Sequence, residues 1–77
     1  MTVELDKQAD AAHARLSDRP VASTKELDPQ RIVDYDADGE IVGIEFLAVT
    51  RGVDVHDLPY RDELSRFFGQ HQIPVFA

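Results

Sequence analysis

The densest run of cation-type ligands in the chain is Asp34-Tyr35-Asp36-Ala37-Asp38-Gly39-Glu40-Ile41-Val42-Gly43-Ile44-Glu45. It fits the EF-hand loop pattern, with carboxylates at the first, third and fifth positions, glycine at the sixth, an apolar residue at the eighth and glutamate at the twelfth. A hard cation takes about six to eight oxygens, and Asp34, Asp36, Asp38 and Glu45 are the candidate metal ligands. The flanks oppose that reading. An EF-hand loop is entered by a helix, but Asp28-Pro29 and the β-branched pair Ile32-Val33 precede this one. A proline inside a helix costs about 3 kcal/mol. The exit segment opens on Gly43, a poor helix former, and the first 23 residues hold no second loop to pair with. The expectation is therefore a β-hairpin with acidic turn formers, with calcium binding as the alternative.

The other reactive side chains do not assemble into a motif. His13, His56 and His71 fall on three separate segments without zinc-ligand spacing. His56-Asp57 has the types to orient a metal or act as a base, but a helix N-cap explains Asp57 equally well. Ser17, Ser23 and Ser65 lie outside any Gly-x-Ser-x-Gly context, and the dispersed glycines form no phosphate loop. Asp34 and Asp36 would share a strand face, yet carboxylates beside water stay ionised, and general-acid work needs one raised. No catalytic residue, no cofactor and no enzymatic activity are expected.

The elements that carry these residues follow from periodicity. Val3 and Leu5 alternate with polar residues as a short strand. In Ala11–Leu16 the residues Ala12, Ala14 and Leu16 share one face, and that alternation reads as a strand against alanine's helix preference. Val21–Leu27 is a third candidate, Arg31–Tyr35 a fourth, and Asp38-Gly39 marks a tight hairpin leading into Glu40–Leu47. In that last strand Val42, Ile44 and Phe46 lie on one face and Ile41 and Leu47 on the other, the pattern of a central strand or one covered by a second subunit. Beyond Gly52 the period changes. Leu64, Phe67, Phe68 and His71 mark one face of a helix, with Asp57 as its N-cap, Pro59 in its first turn and Gly69 near its end. The reading is α+β: one domain over 1–77, with an antiparallel meander of four or five short strands at about 3–50, a C-terminal helix at about 57–70 and an apolar tail at 71–77.

Composition bounds the partners. The 77-residue chain carries 15 Asp and Glu against 8 Lys and Arg, a net charge of -7. Phosphates call for the opposite sign, so nucleic acid and anionic membranes are not expected. With no cysteine there is no disulfide framework. No apolar run is long enough for a membrane span or a signal-peptide core, so a cytoplasmic protein is expected. A chain this short with a greasy tail is also expected to form a homodimer to bury its apolar surface.

The stretch Leu5–Asp18, then Glu26-Leu27-Asp28-Pro29, then Val33–Leu47 with its Asp-Tyr-Asp-x-Asp-Gly hairpin and Val-Gly-Ile-Glu strand, resembles a family of small bacterial proteins, domain of unknown function 2283. The resemblance spans roughly 3–50, and the second hairpin is its most specific part. Relatives usually carry tyrosine where Leu5 stands, and a large apolar residue, a tyrosine and a β-branched residue where Ala12, His13 and Ala14 stand. The two alanines would leave a groove on the core face unless Phe67, Phe68 or Phe76 fills it. The resemblance implies a β-meander with no known activity or cofactor, and an antitoxin-like role beside small basic ribonuclease-type toxins. A non-catalytic interaction module is thus the expected function. Its candidate contacts are Asp34, Asp36, Asp38 and Glu40, with Phe67 and Phe68 as anchors. Calcium binding at the hairpin and a small ligand in the groove over Ala12 and Ala14 are the alternatives.

Overall fold

Alternating segments in the first 47 residues become strands. The computed structural model describes residues 1–76 and shows β1 (Thr2–Asp6), β2 (Ala11–Arg15), β3 (Ser23–Asp28), β4 (Arg31–Tyr35) and β5 (Ile41–Leu47) in one antiparallel sheet. A 3-10 turn at Val49–Arg51, the short strand β6 (Val53–Asp54), the helix α1 (Arg61–Gln70) and β7 (Val75–Phe76) follow. The strand order is β1-β2-β5-β4-β3. A β1-β2 hairpin and a β3-β4-β5 meander therefore meet along β2 and β5, so the α+β sheet is meander-like without being strictly sequential. After β2 the chain crosses to the far edge and works back to the centre.

β5 is the central strand, as its apolar residues predict, but its two faces are not those a regular strand would give. Asp34 pairs with Gly43 and Tyr35 with Ile41, so Val42 is an extra residue in a bulge. The bulge resets the alternation: Val42 is buried and Ile41 packs against the core instead of facing outward. Only Leu47 keeps the outward position that the sequence pattern assigns to both.

The core lies between one face of the sheet and the C-terminal segment. Ala12, Ala14, Val33, Ile44 and Phe46 from the sheet are buried in one cluster with Val49, Val53, Val55, Leu58, Leu64, Phe68 and Ile73. Phe46 and Phe68 meet edge to face with ring centroids 5.1 Å apart. Ala12 and Ala14 are 2% and 0% exposed, so the groove anticipated over them is filled by the chain itself. Phe68 is fully buried and so is not available as a partner anchor, while Phe67 is half-buried, edge-on to Phe68.

The helix begins at Arg61, three residues later than an Asp57 N-cap would place it. Its N-cap is Tyr60 in the left-handed conformation (φ 58°), and Asp57 is drawn away to pair with Arg31. Gly69 stands one residue before the helix end at Gln70, where its position in the sequence places it. The apolar tail docks on its own chain through Val75 and Phe76, with Ala77 outside the described residues. Val53 N–H donates to Pro74 O and Val55 N–H to Phe76 O, both at 2.9 Å, making β6 and β7 a parallel pair. Gly52 permits this: at φ +103°, a Cβ there would stand 2.5 Å from Phe76 Cε2. At the same end of the sheet Asp10, in the β1-β2 turn, accepts the Thr50 N–H (3.0 Å) and hydroxyl (2.8 Å), tying the hairpin to the 3-10 turn. No helix among the described residues is long and apolar enough to cross a membrane.

Candidate functional site

With one face of the sheet on the core, alternation sends every second residue to the other face. Register places Glu4, His13, Glu45, Ile32 and Glu26 in one cross-strand row. Thr2, Arg15, Gly43, Asp34 and Thr24 form the next, and Asp6, Ala11 and Leu47 lie on the other side. This outward face thus carries Glu4, Asp6, Glu26, Asp34 and Glu45 against Arg15 and one histidine. Small and apolar positions cross it from row to row, with Gly43 in one, half-buried Ile32 in the next and half-buried Leu47 in the one beyond. Gly43 makes room for a carboxylate, since a Cβ there would lie 3.0 Å from Asp34 Oδ2. The Thr24 hydroxyl donates to Asp34 Oδ1 at 2.7 Å, and His13 Nε2 stands 3.8 Å from Asp34 Oδ2.

The acidic hairpin divides the four candidate calcium ligands instead of gathering them. Asp34 and Glu45 lie on the outward face. Asp36 is buried, and its Oδ1 accepts the N–H groups of Asp38 and Glu40, each at 2.9 Å, closing the turn that Gly39 completes at φ +81°. Its Oδ2 stands 3.1 Å from Arg19 Nε, close enough for an ion pair but not aligned for a hydrogen bond. Asp36 is therefore a structural residue of the turn and not a surface contact. Asp38 and Glu40 remain exposed beside it.

A second group of charges sits at the opposite end of β4. Arg31 faces the core side with 6% exposure. Its Nε donates to Asp28 Oδ2 (2.8 Å), and Nη1 to Asp54 O (3.2 Å) and Asp57 Oδ1 (2.5 Å). Nη2 donates to Asp57 Oδ2 at 3.4 Å. Burial works against the charge, but the hydrogen bonds to Asp57 and Asp28 outweigh it and hold the guanidinium above its ordinary pKa. The same bond to Arg31 holds the Asp57 carboxyl below the usual range. Next to it, His56 Nδ1 pairs with Asp54 Oδ1 and lies 3.9 Å from Asp57 Oδ1. The hydrogen bond between them raises the imidazole and lowers the Asp54 carboxyl. A cavity of about 180 Å³ opens beside Arg31, walled by Phe46, Leu47, Val53 and Phe76.

Sequence reasoning placed Asp34 and Glu45 in a loop motif and did not single out Glu4, Asp6 or Glu26. For Glu4 and Asp6 the signal was present, because they alternate with half-buried Val3 and Leu5; Glu26 lies in a strand exposed on both sides and carries no such signal. Arg31, Asp28 and Asp54 were passed over because their convergence joins residues 26 apart along the chain.

The family model described as "Protein of unknown function (DUF2283)" matches residues 2–49, from β1 to the start of the 3-10 turn. No curated protein and no solved structure matches the chain.

Proposed function

We propose, from the premise that this chain belongs to the DUF2283 family of proteins of unknown function, that it is a non-catalytic protein-interaction module docking a basic protein on its outward sheet face. The observation that carries the reading is the placement of five carboxylates and one arginine among small and apolar positions, on the face that the helix leaves uncovered. Such a face attracts a cationic surface over a distance and offers Ile32 and Leu47 for contact once it arrives. Glu4, Glu26, Asp34 and Glu45 are its contact residues, with Asp38 and Glu40 at one end. An antitoxin-like role, covering the working surface of a small basic protein, is the use that fits this chemistry. The other charge cluster supports a non-catalytic reading, because Arg31 is neutralised by Asp28 and Asp57. Self-association draws less support than it does at the level of sequence, since the tail and Ile41 find partners within one chain.

The test is capture from the native lysate with the wild type and with a Glu4→Gln, Asp34→Asn, Glu45→Gln variant. Retention of one small basic protein by the wild type, released by moderate salt and lost with the variant, supports the proposal. Equal retention by both would overturn it.

A further inference from the structure

We propose that the loop after β6 is a divalent transition-metal site formed by Asp54, His56 and Asp57. One ligand atom from each, a carboxylate oxygen, the His56 Nδ1 and a second carboxylate oxygen, lies within 4.8 Å of the other two. This is a mixed nitrogen and oxygen set, not a patch of acids. A borderline ion such as zinc takes imidazole nitrogen and carboxylate oxygen at about 2.0–2.2 Å, whereas calcium and magnesium favour oxygen alone.

Three features make the set more than a chance meeting of side chains. The backbone under it is fixed: Asp54 O accepts from Arg31, and Val55 N–H is bound to Phe76 O. Asp57 is aimed from behind by buried Arg31, and a carboxylate oxygen that accepts one guanidinium N–H keeps a second lone pair for a metal. The local charge also calls for a dication. Asp28, Asp54 and Asp57 face Arg31 alone when the imidazole is neutral, and of the neighbouring side chains Asp62 and Glu63 add negative charge while Arg61 offsets one. Binding an ion would displace the proton that His56 Nδ1 shares with Asp54 Oδ1, the two exposed side chains would part to make room for it, and water would complete its coordination. The three side chains are half-exposed or exposed, so the site opens to solvent.

The experiment is a zinc chloride titration of the whole chain, followed by calorimetry and by the imidazole nitrogen resonances of the three histidines. One zinc ion per chain is expected, with His56 Nδ1 shifting and His13 and His71 unmoved. His56→Ala and Asp54→Asn are each expected to weaken binding by about tenfold or more, and His13→Ala to leave it unchanged. Both positions are solvent-facing, and circular dichroism confirms that the variants are folded. Absence of saturation at millimolar zinc, unchanged affinity in His56→Ala, or displacement by millimolar calcium would overturn the assignment. The outward-face variant retains zinc in this account, so the site and the docking face fail or stand separately.

Discussion

Arg31 and Asp57, 26 residues apart, meet through two guanidinium nitrogens and two carboxylate oxygens, joining the sheet to the segment that leads into the helix. The pair links the part of the chain the family model covers to the part beyond it. Removing Asp57 leaves a buried guanidinium with fewer acceptors. Asp57→Ala is expected to cost about 1.5–3 kcal/mol in urea denaturation. The Arg31→Met, Asp57→Ala double variant is expected to lose less than the sum of the singles, because no unpaired charge remains. Strict additivity would contradict a coupled pair.

Gly52 and Phe76 depend on each other through space that a methyl group would take. Gly52→Ala is expected to destabilise by about 1–3 kcal/mol, from a strained positive φ together with the steric conflict. Phe76→Ala in that background should recover the steric part and leave the backbone part. A Gly52→Ala protein as stable as the wild type would show that the tail does not lie on this glycine.

Asp36 closes the hairpin turn, so its replacement should act on stability and not on cation binding. Asp36→Ala removes the acceptor of two N–H groups and is expected to cost about 1–3 kcal/mol. Millimolar calcium should leave the amide resonances of Asp36, Asp38 and Gly39 unmoved. A saturable shift there would restore the EF-hand reading.

The His56 and Asp54 pair gives stability a pH window in metal-free, chelator-treated buffer. His56 is raised by its bond to Asp54, so its contribution is full below the ordinary histidine value and is lost as pH rises through the raised one. Asp54 is lowered by the same bond, so its contribution is present above the ordinary carboxylate value and fades as pH falls through the depressed one. The stability difference between wild type and His56→Ala should therefore be largest between those limits and shrink on both sides. A difference that ignores pH would contradict the pair.

How far the sequence carries depends on the range of each interaction. The Asp38-Gly39 turn, the strand at Arg31–Tyr35 and the helix face of Leu64 and Phe68 are local patterns and were legible. The pairing of β2 with β5 was not, because nothing in Ala11–Arg15 specifies a partner 30 residues on. Nor was the bulge at Val42, which a strict two-residue period cannot express. Asp57 misled for a chemical reason: the acid that caps a helix is also the acid that pairs with a distant arginine. The candidate face was half legible. Asp34 and Glu45 stood out as members of a motif, while Glu4 and Glu26 became meaningful only once register set them in the same row.

Docking of a basic protein on the outward sheet face is best examined by an amide chemical-shift map of the labelled chain with the purified captured partner. Shifts are expected to concentrate at Glu4, His13, Ile32, Gly43 and Glu45 and to diminish as salt rises. Shifts confined to the helix, with those five positions unmoved, would contradict it.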